Sequence, residues 1–154
     1  YLDGRSDCAR LSPDDRLVVT TSEDGIAQLW DAATQDPVGS PMSHAGWVRS
    51  ASFSPDGRYL ATASEDMTVQ LWHVATQQPV GLPLRHTSEL RCVEFSPDGR
   101  YIATAAARDA RVWELPPTPN TLQEVQRKTQ LATGARLTPE GRAEALDWRE
   151  WQEL

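Results

Sequence analysis

His44-Ala-Gly-Trp-Val-Arg-Ser-Ala-Ser-Phe-Ser-Pro-Asp-Gly57, followed after Arg58 by Tyr59-Leu-Ala-Thr-Ala-Ser-Glu-Asp-Met-Thr-Val-Gln-Leu-Trp72, is one copy of a unit written three times. Downstream, the unit returns as His86, then Phe95-Ser-Pro-Asp-Gly99, Tyr101-Ile-Ala-Thr104 and Trp113. Upstream it appears as Leu11-Ser-Pro-Asp-Asp15, Leu17-Val-Val-Thr-Thr-Ser-Glu-Asp-Gly25 and Trp30-Asp31, with Leu2 where the His belongs. Trp30, Trp72 and Trp113 are 42 and 41 residues apart, and His44 and His86 are 42 apart. Self-similarity at such a period marks stacked supersecondary units, each unable to bury its apolar face alone.

Within a unit, short apolar runs alternate with turn residues. Val48–Phe53, Tyr59–Ser64 and Thr68–His73 are predicted strands, bounded by Ser-Pro-Asp-Gly and Ser-Glu-Asp-x turns. Pro presets φ at the second turn position, and Gly tolerates a positive φ at the end. Segments 37–42 and 79–84 are predicted outer strands, because their prolines suit a blade edge. Small residues such as those of Ala61-Thr-Ala-Ser64 suit strands buried on both faces.

A period near 40–45 residues, with His early and Trp late, resembles the WD40 repeat, which forms one four-stranded propeller blade. The resemblance covers about three quarters of the chain. It implies an all-β fold: a partial propeller of about three four-stranded antiparallel blades, followed by a small helical C-terminal tail. The implied division is a blade at 1–42, incomplete at its N-terminal side, a blade at 43–85, a blade at 86–115 lacking its outer strand, and a linker and tail at 116–154. Propellers have roughly four to eight blades. The remaining blades are therefore expected in parts of the same polypeptide that lie outside residues 1–154. An unclosed stack is expected to leave an apolar face at blade one and a strand edge at blade three, and so to associate.

The family's structural tetrad maps onto His44, Thr62, Asp66 and Trp72 in the second unit. Thr20, Asp24 and Trp30 keep part of it in the first, and His86, Thr104 and Trp113 in the third. Asp109 lies four residues before Trp113, where Asp66 lies six before Trp72, so Asp109 is not expected to complete the third set. A hydroxyl beside His beside Asp also has the composition of a nucleophilic triad. A repeated network inside blades is better explained as satisfaction of buried polar groups. His73 stands where the Asp of the Trp-Asp pair belongs.

Beyond the repeat, Thr121 with Glu124 and Asp147 with Glu150 form capping boxes, predicting two helices, the first stopped near Gly134. Trp148, Trp151 and Leu154 would form an apolar stripe on the second, suited to packing on the propeller or to a separate partner. A Thr138-Pro-Glu-Gly141 turn between the helices suits a small hairpin. The segment 131–151 resembles the ending of a bacterial WD40 group, many of whose members carry a serine/threonine protein kinase domain upstream.

The net charge is −7, and residues 1–119 carry sixteen acids against ten bases, so the excess lies in the repeats. No basic stripe suited to nucleic acid is present, and no apolar run approaches the length of a membrane span. No zinc spacing, Gly-rich phosphate loop or kinase signature occurs, so no metal or cofactor is expected. Cys8 and Cys92 are 84 residues apart at equivalent positions of non-neighbouring units, which is too far for a bridge. They read as small buried thiols in a reducing, cytoplasmic setting. The expected function is a non-catalytic scaffold for proteins or peptides; the alternative is the regulatory or sensory end of a signalling enzyme such as a kinase. Trp47 is the candidate anchor on the loops, with packing against a neighbouring blade as its other reading. Glu23, Glu65, Glu89 and Arg108 are its candidate neighbours, each also explicable as a solvated charge.

Overall fold

A computed structural model describes residues 6–115 and, for the backbone alone, the strands at 135–137 and 143–145. Three antiparallel sheets make up the first unit. The first contains β1 (Ser6–Leu11), β2 (Leu17–Ser22), β3 (Ile26–Asp31) and β4 (Pro37–Ser43) in sequence order. The second contains β5 (Val48–Phe53), β6 (Tyr59–Ser64), β7 (Thr68–His73) and β8 (Gln78–Arg85), again in order. The third contains β9 (Leu90–Phe95), β10 (Tyr101–Ala106) and β11 (Ala110–Glu114), with three strands among the described residues.

The repeated Ser-Pro-Asp turn shows how local sequence builds a hairpin. Ser54 Oγ donates to Asp56 Oδ1 at 2.6 Å and accepts from the Tyr59 amide at 2.9 Å, while Asp56 Oδ1 accepts from the Arg58 amide at 3.1 Å. The same bonds join Ser12, Asp14, Arg16 and Leu17, and again Ser96, Asp98, Arg100 and Tyr101. The Ser12 hydroxyl and the Arg16 amide hold the Asp14 carboxyl below the usual carboxylate value; Ser96 and Arg100 do the same for Asp98. Side-chain bonds of this kind replace the ladder bonds that a turn must give up.

The core lies between the sheets. Val19, Ala27, Leu29 and Met42 of the first sheet are buried against Val48, Ala51, Phe53 and Leu60 of the second. Ala61, Ala63 and Val69 are buried against Leu90, Val93, Phe95 and Ile102 of the third. Full burial of one such Leu or Phe side chain is worth about 1.5–3 kcal/mol. Polar stitches cross the second interface, where Ser50 Oγ and Ser52 Oγ accept from the Val93 and Phe95 amides at 3.3 Å each.

Each inner strand carries a register shift against its neighbour, between Ser6 and Cys8, between Val48 and Ser50, and opposite Ala105/Ala106. Such bulges insert one extra residue and re-aim its side chain. In the second sheet that residue is Arg49.

Two expectations need comment. Cys8 and Cys92 are free as expected, but they are not both buried: Cys8 is half-buried and Cys92 is exposed. Cys92 lies exposed on β9 of the third sheet. The two tail helices expected at 121–134 and from 147 onward lie outside the described residues. In the second unit, 116–154, β12 (Ala135–Leu137) pairs antiparallel with β13 (Ala143–Ala145), forming the small hairpin.

Candidate functional site

Strand direction alternates within each sheet, so topology gathers one set of connections at one end. These are the β2–β3, β6–β7 and β10–β11 turns together with the β4–β5 and β8–β9 links. The Ser-Pro-Asp turns occupy the opposite end. Backbone bonds bind the first set together: the His44 amide donates to Gly25 O at 2.8 Å, the His86 amide to Met67 O and the Glu65 amide to Trp47 O, each at 2.9 Å. Gly25 has φ +80°, and a Cβ there would stand 2.7 Å from His44 O, so only glycine fits this crossing.

Beneath this end runs the expected polar chain. Trp72 Nε1 donates to Thr62 Oγ1 at 2.8 Å, Thr62 Oγ1 lies 2.7 Å from His44 Nε2, and His44 Nδ1 lies 3.0 Å from Asp66 Oδ2. A hydroxyl has one proton; given to Nε2, it leaves the His44 Nδ1 proton for Asp66. Thr68 Oγ1 donates to Asp66 Oδ1 at 2.6 Å, and the Ala45 amide to Oδ2 at 3.0 Å. Burial pushes the Asp66 carboxyl up, but the Thr68 hydroxyl, the Ala45 amide and His44 outweigh it and hold it below the ordinary carboxylate value. Thr62 is fully buried, so no substrate atom reaches its hydroxyl. The network ties a turn to a sheet.

In the first sheet Trp30 Nε1 donates to Thr20 Oγ1 at 2.8 Å. Asp24 is exposed and its carboxylate has no hydrogen-bond partner among the described residues; position 2 lies outside them. In the third sheet Trp113 Nε1 and His86 Nε2 both meet Thr104 Oγ1 at 2.9 Å. The expectation for Asp109 is corrected: its Oδ2 lies 3.3 Å from His86 Nδ1, completing the set. The shorter turn places the carboxylate by a different local route. Arg111 Nε holds Asp109 Oδ2 at 2.9 Å, doing what Thr68 and the Ala45 amide do for Asp66. His86 and Arg111 keep Asp109 below the ordinary carboxylate value against the upward push of burial.

At the surface of this end, Trp47 is half-buried immediately before β5. The Arg49 guanidinium lies 3.5 Å from the centre of its ring, and Arg49 Nε and Nη2 donate to Glu65 Oε1 at 2.8 and 2.6 Å. Cation and ring at this separation attract by about 0.5–2 kcal/mol. The indole N–H of Trp47 is buried without a hydrogen-bond partner among the described residues. Trp47 and Glu65 are thus brought together, by Arg49, which sequence reasoning did not single out. Glu23, Glu89 and Arg108 are exposed on neighbouring connections of the same end, and no bond joins their side chains to the Trp47 cluster. Among the described residues no group of three or more His, Cys, Asp or Glu side chains is placed to hold a metal ion.

No curated protein sequence matches the chain. A family model described as WD domain, G-beta repeat matches it three times, at residues 4–31, 35–73 and 78–114, each match ending on or just past one of the three Trp residues that donate to a buried Thr. The chain belongs to the WD40-repeat family.

Proposed function

We propose that the chain is a protein-binding platform whose recognition surface is the connection end centred on Trp47. WD40 repeats are generally protein-interaction scaffolds, and loops on a rigid frame are where recognition concentrates. The observation that carries the reading is the Trp47 indole, half-buried at the surface of this end with the Arg49 guanidinium against its ring. Aromatic side chains fixed in this way lose little freedom on binding and serve as interface anchors. Glu65 lies beside the anchor through Arg49, and Glu23 and Glu89 are exposed on neighbouring connections of the same end. The fitting partner is a protein segment with an apolar group for the exposed part of the Trp47 ring, flanked by basic residues.

A displayed library of random peptides selected on the whole chain tests this. Selected peptides are expected to carry basic residues and to lose about tenfold or more in affinity on Trp47→Ala. Peptides that bind Trp47→Ala and the parent chain equally would place recognition elsewhere. The tail sequence supports a narrower version, in which the platform is the sensory end of a bacterial signalling protein. Kinase motifs in the same reading frame would support that version; a frame without them would remove it.

A further inference from the structure

The β5 bulge residue Arg49 is held by two groups at once. Its guanidinium lies 3.5 Å from the centre of the Trp47 ring, and its Nε and Nη2 donate to Glu65 Oε1 at 2.8 and 2.6 Å. The two groups are themselves fixed to one another through the backbone, the Glu65 amide donating to Trp47 O at 2.9 Å. An aromatic face with a carboxylate at its edge suits a guanidinium, which stacks flat on the ring while its fork of N–H groups meets the oxygens. An ammonium fits less well, because it has no plane to stack.

The third sheet shows that the site belongs to Trp47 and Glu65 rather than to the arginine. Its corresponding bulge falls between Leu90 and Cys92 and carries Arg91. There the same backbone bond runs from the Ala107 amide to Glu89 O at 2.9 Å, but Glu89 stands in place of Trp47 and Ala107 in place of Glu65. Arg91 is exposed, and no hydrogen bond or ring contact holds its side chain among the described residues. An arginine at the bulge therefore does not fold down by itself; the ring and the carboxylate draw it. The Arg49 and Glu65 side chains remain 33% and 30% exposed, so the site opens on solvent. Both bonds from Arg49 go to Oε1, and Glu65 Oε2 accepts no hydrogen bond among the described residues.

The geometry points to a subsite for an arginine side chain at Trp47 and Glu65, filled in the free chain by Arg49 and vacated for an arginine of the bound partner. This rests on the reading of the Trp47 end as a recognition surface and adds which residue is recognised there. Arg49 belongs to the same chain and competes at a high effective concentration, so a lone arginine does not displace it. An arginine carried by a segment that makes further contacts does, and its N–H groups have both Glu65 oxygens to meet. Recognition then depends on the whole segment rather than on one charge.

NMR of the isotope-labelled whole chain tests the subsite, with the buried Trp47 indole N–H as reporter, assigned by its loss in Trp47→Phe. N-acetyl-arginine amide is the probe and N-acetyl-lysine amide the comparison. Arg49→Ala vacates the site, and Arg49→Ser is a second vacated form. The core contacts of β5 are made by Val48, Ala51 and Phe53, so neither change disturbs the sheet. In both forms the arginine probe is expected to move the reporter saturably and to bind at least about threefold more tightly than the lysine probe. The parent chain is expected to bind it at least about tenfold more weakly than the vacated forms, because Arg49 competes. Glu65→Gln added to Arg49→Ala is expected to weaken binding at least about threefold. Peptides selected on the parent chain are expected to carry an arginine and to bind Arg49→Ala at least about threefold more tightly than the parent. Equal responses of the parent and Arg49→Ala, or no response in either, overturn the subsite, as does equal binding of the two probes. Peptides weakened by Trp47→Ala and by Arg49→Ala alike overturn the subsite while leaving the platform reading intact. Peptides indifferent to Trp47→Ala overturn the platform reading, and the subsite's part in recognising a partner falls with it.

Discussion

His86 and Asp109 stand 3.3 Å apart, Nδ1 to Oδ2, although Asp109 is two positions nearer its Trp than Asp66 is to Trp72. The third turn has lost a residue and kept the contact, with Arg111 in place of a hydroxyl and an amide. Asp109→Ala is therefore expected to lower the thermal midpoint of the chain more than Arg108→Ala, a neighbouring exposed charge. Equal midpoints for the two variants would make the Asp109 contact incidental.

Thr62 accepts from Trp72 and donates to His44 while fully buried, so its hydroxyl satisfies two groups at once. Thr62→Val leaves both unpaired. Each unsatisfied buried group costs about 1–3 kcal/mol, so a loss of about 2 kcal/mol or more is expected in urea titration. Thr62→Ser keeps the hydroxyl and loses only a methyl group, with an expected loss of roughly 1 kcal/mol. The order Val worse than Ser is the diagnostic; the reverse order would mean that packing, not the polar chain, governs this position.

Asp66 is held below its ordinary value by partners it gains on folding. A depressed carboxyl contributes stability in full above its unfolded value, near 3.8, and loses it as pH falls through the lower folded value. The stability gap between the parent chain and Asp66→Asn is accordingly expected to be largest at neutral pH and to shrink below about pH 3.8. Urea midpoints at a series of pH values measure it. A gap that stays constant down to pH 2–3 would show that Asp66 acts through shape rather than charge.

Met67 has φ +66° at the turn position where the first sheet has Gly25. A left-handed conformation costs an ordinary residue roughly 1–2 kcal/mol, and glycine returns part of that gain as chain entropy. Met67→Gly is expected to raise stability by about 0.5–1 kcal/mol in thermal or urea melts. Gly25→Ala is expected to lower it, because the added Cβ meets His44 O. A destabilised Met67→Gly would mean that the half-exposed Met side chain packs more usefully than its strain costs.

The parts of this architecture that were legible in the sequence are those fixed by local punctuation. Val48–Phe53, Tyr59–Ser64 and Thr68–His73 begin and end where turn residues bound them, and the observed β5, β6 and β7 have those limits. The His44–Thr62–Trp72 chain was legible because repeat spacing reports register directly. Asp109 was misread because counting along a chain does not measure reach across a shortened turn. Arg49 was missed because a bulge, not simple alternation, aims its side chain at Trp47 and Glu65. Cys92 was misjudged because burial at a sheet face depends on what stands beyond it, which no local pattern records.

The claim that recognition belongs to the Trp47 end is tested most directly by hydrogen–deuterium exchange of the whole chain, with and without a selected peptide. The expected result is new protection at the β4–β5 link and the β6–β7 turn, around Gly46–Arg49 and Ser64–Met67. The opposite end, at Ser54–Arg58, is expected to remain unchanged. Protection appearing at the Ser-Pro-Asp turns, with none around Trp47, would contradict the account.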